Sequence, residues 1–223
     1  MWGFFLAIEL CFLVANMMKV LDGGWFPLLL GALIFTLLST WSRGRAILNE
    51  RLRDHSLDYS VFERIVHEDK PFRVARTAVF MSGDSKRAPP ALLRNLVHNQ
   101  VLHERVVLLT VETLEVPTVP KKDQIEITDL GDSFWRVVVH YGFMEDPDIP
   151  LALLHCRDRG LPIDPENLTY FLGRDTVVPS NQPGMALWRE FLFSLMTTNA
   201  QRATSYYRIP PAYVIEIGAQ IEI

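Results

Sequence analysis

The first 42 residues carry three formal charges, Glu9, Lys19 and Asp22, whereas the rest of the chain holds 21 of its 22 Lys and Arg and 24 of its 26 Asp and Glu. A chain divided in this way cannot satisfy both parts in one solvent, because apolar surface and charge are stabilised by opposite surroundings. Met1–Met18 is apolar around one carboxylate, and Trp25–Ser42 is uncharged. At about 1.5 Å per residue, a helix of either length covers about 27 Å, near the minimum for a bilayer core of about 30 Å. Two membrane spans are expected.

Two other readings of the apolar part stay open. A cleaved signal peptide calls for a basic start and a small-residue cleavage site, and the first segment has neither. A buried helical hairpin of a soluble protein fits the shortness of that segment and its Glu9 and Asn16. Against both, Trp25 and Trp41 bracket the second segment as interfacial aromatics do, and Pro27 sits in a first helical turn, where its missing N–H is harmless.

The Gly23–Gly24 pair suits a reversal between the spans, so residues 1–42 read as a transmembrane helical hairpin. Arg43, Arg45, Arg51 and Arg53 follow against a single Glu50, and this positive bias predicts a cytoplasmic location for the C-terminal part. The short loop then faces outward, and Met1 shares the cytoplasmic side. An apolar run from the first residue leaves no flank to anchor it, as expected of a segment cut from a longer helical part. A carboxylate in a span costs a few kcal/mol. Glu9 and Asn16 are therefore the candidate intramembrane polar site, and both call for more helices than these two.

Beyond the spans, a formal net charge of -4 and a pI near 5.9 provide no basic field for nucleic acid, which is not expected as a partner. Two cysteines, Cys11 and Cys156, cannot make a disulfide framework or a four-thiolate zinc site, and they point to a reducing setting. Residues 43–70 read as a polar juxtamembrane connector, helical in pieces, and 71–223 as a cytoplasmic domain. Its periods alternate: strands are expected at 75–81, 105–113, 134–143, 168–178 and 213–223, with helices at 89–100, 149–158 and 185–199. This is the order of an α/β or α+β sheet, and its first six elements match the split βαβ arrangement.

No constellation for catalysis, cofactor binding or a metal emerges. His98 and His103 are five residues apart without a third ligand, so polar or cap-forming roles are expected of them. No P-loop and no G-x-G-x-x-G occurs, and neither Ser82 nor Cys156 lies in a nucleophile motif. Glu145, Asp146 and Asp148 fall in a Pro-rich turn, where they are expected as loop formers and a helix cap. Gly142 and Gly173 read as ordinary strand punctuation.

The run FLVANMMKVLDGGWFP (Phe12–Pro27), with TWSRGR at Thr40–Arg45, resembles the last two transmembrane helices of the Kup/HAK/KT potassium uptake permeases, bacterial type. HNQVLHERVVLLTVET (His98–Thr113), YGFMEDPDIP (Tyr141–Pro150), TYFLGRDT (Thr169–Thr176), GMALWREFLFSLMTTNA (Gly184–Ala200) and IPPAYVIEIGAQIEI (Ile209–Ile223) extend the resemblance over nearly the whole chain, in order. The resemblance implies a polytopic secondary transporter of the cell inner membrane that takes up K⁺ with H⁺ in symport. It also implies about a dozen helices and a cytosolic C-terminal domain, with a possible homodimer. This chain would then be a C-terminal part that packs on helices of the same transporter preceding it. The ion path is expected in those earlier helices, so no K⁺-binding or proton-coupling residue carries over. Where the family is expected to favour Asp in the penultimate helix, this chain has Glu9. The alternative, from another class, is a membrane-tethered cytoplasmic binding or regulatory module without transport, for example a nucleotide sensor.

Overall fold

The computed structural model of the protein describes residues 2–54, 56–180 and 184–223. Helix α1 (Trp2–Met18) leads through a five-residue π turn, Val20–Gly24, into α2 (Trp25–Asp54). Asp22 and Gly23 leave the helical region within that turn and kink the chain. Among the described residues, α1 and α2 meet at this turn and do not pack face to face, so the mutual packing of a hairpin is not formed within this chain. Of the described helices, only the one containing α2 is long and apolar enough to cross a membrane; α1 is a shorter apolar helix.

Helix α2 does not stop at the first arginines. It continues for 30 residues to Asp54, and its second half packs on the sheet domain. Two-residue β1 (Leu57–Asp58) then pairs antiparallel with β3 (Arg87–Ala88), tying the end of α2 to the start of α4 (Pro90–Asn99). Between them lie α3 (Tyr59–Asp69) and the long strand β2 (Phe72–Ser82). Residues 59–69, expected within the connector, thus form a helix that buries Phe62 and Val66 in the domain core.

The remaining elements are β4 (Val101–Leu114), β5 (Ile125–Gly131), β6 (Phe134–Gly142), α5 (Ile149–Asp158), β7 (Leu168–Val178), α6 (Leu187–Thr198), α7 (Ala203–Tyr206) and β8 (Val214–Glu222). The six-stranded sheet has the order β5-β6-β4-β2-β7-β8. All neighbours are parallel except the β5–β6 hairpin at one edge. The expected α/β class is found, but the split βαβ arrangement is not. The reason is β5, absent from the sequence reading: it carries the chain back after β4, so that β6 enters beside β4 in the parallel sense.

Alternate residues of the central strands feed two cores, as expected of a parallel sheet covered on both faces. Val79, Val107, Leu109, Val137 and Val139 meet Ile149, Leu153 and Cys156 of α5. Their neighbours Ala78, Phe80, Val106 and Leu108 meet Phe62 of α3 and Leu92 of α4. A third cluster joins Ile47 and Leu48 of α2 to Phe193 of α6 and to Val177, Ile221 and Ile223.

Candidate functional site

Glu9 and Asn16 are seven residues apart on α1, two helical turns, and therefore share one face. Both are exposed, and among the described residues no side-chain hydrogen bond or ion pair engages either. They are brought onto one face but not into a site, because no second helix closes over them. Gly3, Ala7, Cys11 and Ala15 recur every fourth residue, and a shallow apolar groove runs along Ala7, Cys11 and Ala15. A stripe of small residues is the usual surface for close helix packing within a membrane.

The second constellation joins α2 to the sheet domain. Arg189, in the first turn of α6, donates from Nε to Thr40 Oγ1 at 3.0 Å and from Nη2 to Ser39 Oγ at 3.3 Å. One turn further along both helices, Gly44 lies under the ring of Phe193, so close that a Cβ there would stand 2.4 Å from Phe193 Cδ2. The Trp41 ring packs beside the same phenylalanine, with centroids 5.7 Å apart. The Ser39–Gly44 part of α2 is thus clamped to α6 by two hydrogen bonds and a ring seated on bare backbone.

The third is a cleft of about 650 Å³ where the strand order reverses, between the C-terminal ends of β2 and β7. This is the position at which open α/β sheets hold their ligands. Its walls come from α2 (Arg45, Asn49), the turn after β2 (Ser82, Asp84), the start of α4 (Pro90) and β7 (Asp175). Pro90 opens α4 because a first-turn residue needs no N–H partner, and no side chain caps that end. Ser82 Oγ donates to the Asp84 carbonyl at 2.7 Å, and Asp84 Oδ1 accepts from the Lys86 N–H at 2.9 Å, which fixes the turn. Asp175, paired with Arg94 at 3.8 Å, has its pKa raised by burial, a shift the guanidinium opposes. Arg87 Nη2 donates to the Ser56 carbonyl at 2.6 Å and closes the cleft against the end of α2.

The histidines, the acidic turn and Cys156 have structural surroundings of their own. His98 is exposed in the last turn of α4, whereas His103 stands edge-on to the Phe171 ring, where burial lowers its pKa. Among the described residues, no group of three His, Cys, Asp or Glu could hold a metal. Asp148 caps α5, its Oδ1 accepting from the Leu151 N–H at 3.0 Å, and Glu145 accepts from backbone N–H groups around the same turn. Cys156 is buried, and desolvation pushes its thiol up to about 12 despite Arg159. At pH 8 it stays protonated and shielded, so N-ethylmaleimide is expected to label it at least tenfold faster in denaturant than in the folded protein. Rapid labelling of Cys156 in the native protein, read by mass spectrometry, would contradict this burial.

The clamp and the cleft were not foreseen in the sequence. Two signals could have pointed to the clamp: a glycine between arginines inside a helix (SRGR), and a helix that pairs Arg189 and Glu190 with large apolar residues on every side.

Residues 75–223 match the family described as K+ potassium transporter C-terminal domain, and residues 1–46 match the one described as K+ potassium transporter integral membrane domain. Similar proteins include one named "Probable potassium transport system protein Kup" from Myxococcus xanthus, 51% identical over 99% of this chain and 34% of its own length. A protein of the same name from Azoarcus sp. is 50% identical over 98% of this chain and 34% of its own length. A Kup 2 protein from Rhodopseudomonas palustris is 47% identical over 99% and 36%, respectively. The chain therefore spans about a third of the length of the curated relatives it matches. No solved structure matches it.

Proposed function

Since the chain belongs to the K+ potassium transporter family through its C-terminal domain, we propose that it serves potassium uptake as the C-terminal part of a Kup-type secondary transporter of the cell inner membrane. In this reading α1 and the apolar part of α2 are the last two spans, and the sheet domain lies in the cytoplasm. K⁺ is the transported ion, H⁺ is co-transported in symport, and the protein is not an enzyme. The observation that carries the proposal is the match over 99% of this chain to a protein named for potassium transport. Two features of α1 support it: exposed Glu9 and Asn16 are costly against lipid, and the small-residue stripe beside them suits a packed neighbour. Both ask for further helices, and those helices carry the ion path.

The test has two arms. The purified 223-residue chain in liposomes is expected to take up rubidium no faster than empty vesicles. A chimera, in which this chain replaces the matching C-terminal third of the Myxococcus xanthus relative, is expected to restore growth of uptake-deficient cells at low K⁺. Rubidium uptake by the chain alone, or a well-expressed chimera without uptake, would refute the reading.

A second reading, a membrane-tethered regulatory module without transport of its own, is supported by the cleft at the strand-order reversal. It calls for a small ligand between α2 and β7, nucleotides being the first to titrate by calorimetry.

A further inference from the structure

Helix α6 is amphipathic in the wrong sense for water. Its one carboxylate, Glu190, is buried at 1% exposure, with Oε2 accepting from the Ser180 N–H at 3.1 Å. Its opposite face presents Leu187, Trp188, Phe191 and Leu195, each more than half exposed. Such side chains are stabilised on leaving water, so a surface that displays four of them and hides an acid is built for an apolar contact.

Its position says which contact. Arg189 bonds to Ser39 and Thr40, in the last turn of the uncharged stretch Trp25–Ser42. That holds Trp188 beside the end of the apolar part of α2, whose other side exposes Phe35 and Leu38. Just beyond, Arg43 is exposed on α2, and no acidic side chain of α6 opposes it. Leucine and tryptophan at the end of an apolar stretch, with phenylalanine and arginine about a turn beyond, match the boundary between acyl chains and anionic headgroups.

We propose that α6 is a membrane-interface helix, with Trp188 and Phe191 seated in the leaflet where α2 leaves the bilayer, and with Arg43 on its anionic headgroups. The sheet domain is thereby held to the bilayer at a second point besides α2. This rests on the reading of α2 as a span, and the test separates the two.

The full chain is reconstituted in phosphatidylcholine–phosphatidylglycerol vesicles with Trp188 as the sole tryptophan, the other four being replaced by Phe. Half of the lipid is then exchanged for lipid brominated near the top of the acyl chain. Trp188 emission is expected to fall at least twofold, and Phe191→Glu to remove most of that loss. Should the fourfold variant misfold, the difference between the unaltered protein and Trp188→Phe reads the same signal. A Trp25-only protein reports on the span. Trp25 quenched with Trp188 unquenched sinks the interface helix alone, whether acrylamide then reaches Trp188 (solvent) or not (a second copy or another helix). Loss of both signals removes the span reading along with it.

Discussion

Phe193→Ala is expected to cost the folded chain about 3–5 kcal/mol, the usual range for emptying a fully buried aromatic site. Phe193 has no exposed surface, and its ring fills the space between Trp41, Gly44, Ile47 and the ends of β7 and β8. Nothing nearby can collapse into the gap, because one wall is helix backbone. The same geometry predicts the partner's behaviour. Gly44→Ala alone forces its Cβ into the ring, an overpacking cost of about 1–3 kcal/mol, whereas in the Phe193→Ala background the added methyl enters a cavity and its cost vanishes. Urea unfolding in detergent gives the energies, and hydrogen exchange over residues 39–48 gives the local effect. Strictly additive substitutions would show that the ring and the glycine do not meet.

Gly142→Ala is the second large effect. A Cβ at Gly142 would stand 2.3 Å from the Pro117 carbonyl oxygen and 2.6 Å from the Thr118 nitrogen, main-chain atoms that cannot rotate away. The two segments are also stitched together. Glu145 Oε2 accepts from Gly142 N–H at 2.7 Å and from Val119 N–H at 3.0 Å, while the Phe143 and Met144 N–H groups donate to the carbonyls of Val116 and Pro117. Separating them to admit a methyl group strains or breaks these bonds, so a loss of about 3 kcal/mol or more is expected. For a domain of this size that is about 6–12 °C in Tm. Gly173→Ala is the control, since a Cβ there meets nothing within 4 Å. Similar shifts for both would contradict the close approach at Gly142.

These two glycines look alike in the sequence, each at a strand of apolar residues, and that marks where sequence reasoning stops. The strand at 168–178 and the helix at 149–158 were legible to the residue, because a β-branched run and an Asp–Pro entry are local signals. Edge strand β5 (IEITDLG) alternates only weakly and was overlooked. With it went the parallel direction of β6 and hence the topology. Helix α3 carries Tyr59, Phe62 and Val66 at i, i+3 and i+7, an amphipathic pattern short enough to be absorbed into the polar connector around it. On α1, Glu9 and Asn16 are visible as polar residues in an apolar run, and among the described residues no side chain engages either. The Arg189–Thr40 contact joins residues 149 positions apart, which no local periodicity encodes.

Unbroken α2 gives the molecule a mechanical character. From Ser42 to Asp54 the helix extends about 18 Å past its uncharged part, with no flexible joint on the way. A rod of this kind acts as a lever: tilting its uncharged part by about 10° about Ser42 would swing its far end by about 3 Å, given the helical rise. That end forms one wall of the 650 Å³ cleft and is packed on α6, β7 and β8, so the sheet domain moves with the rod as one body.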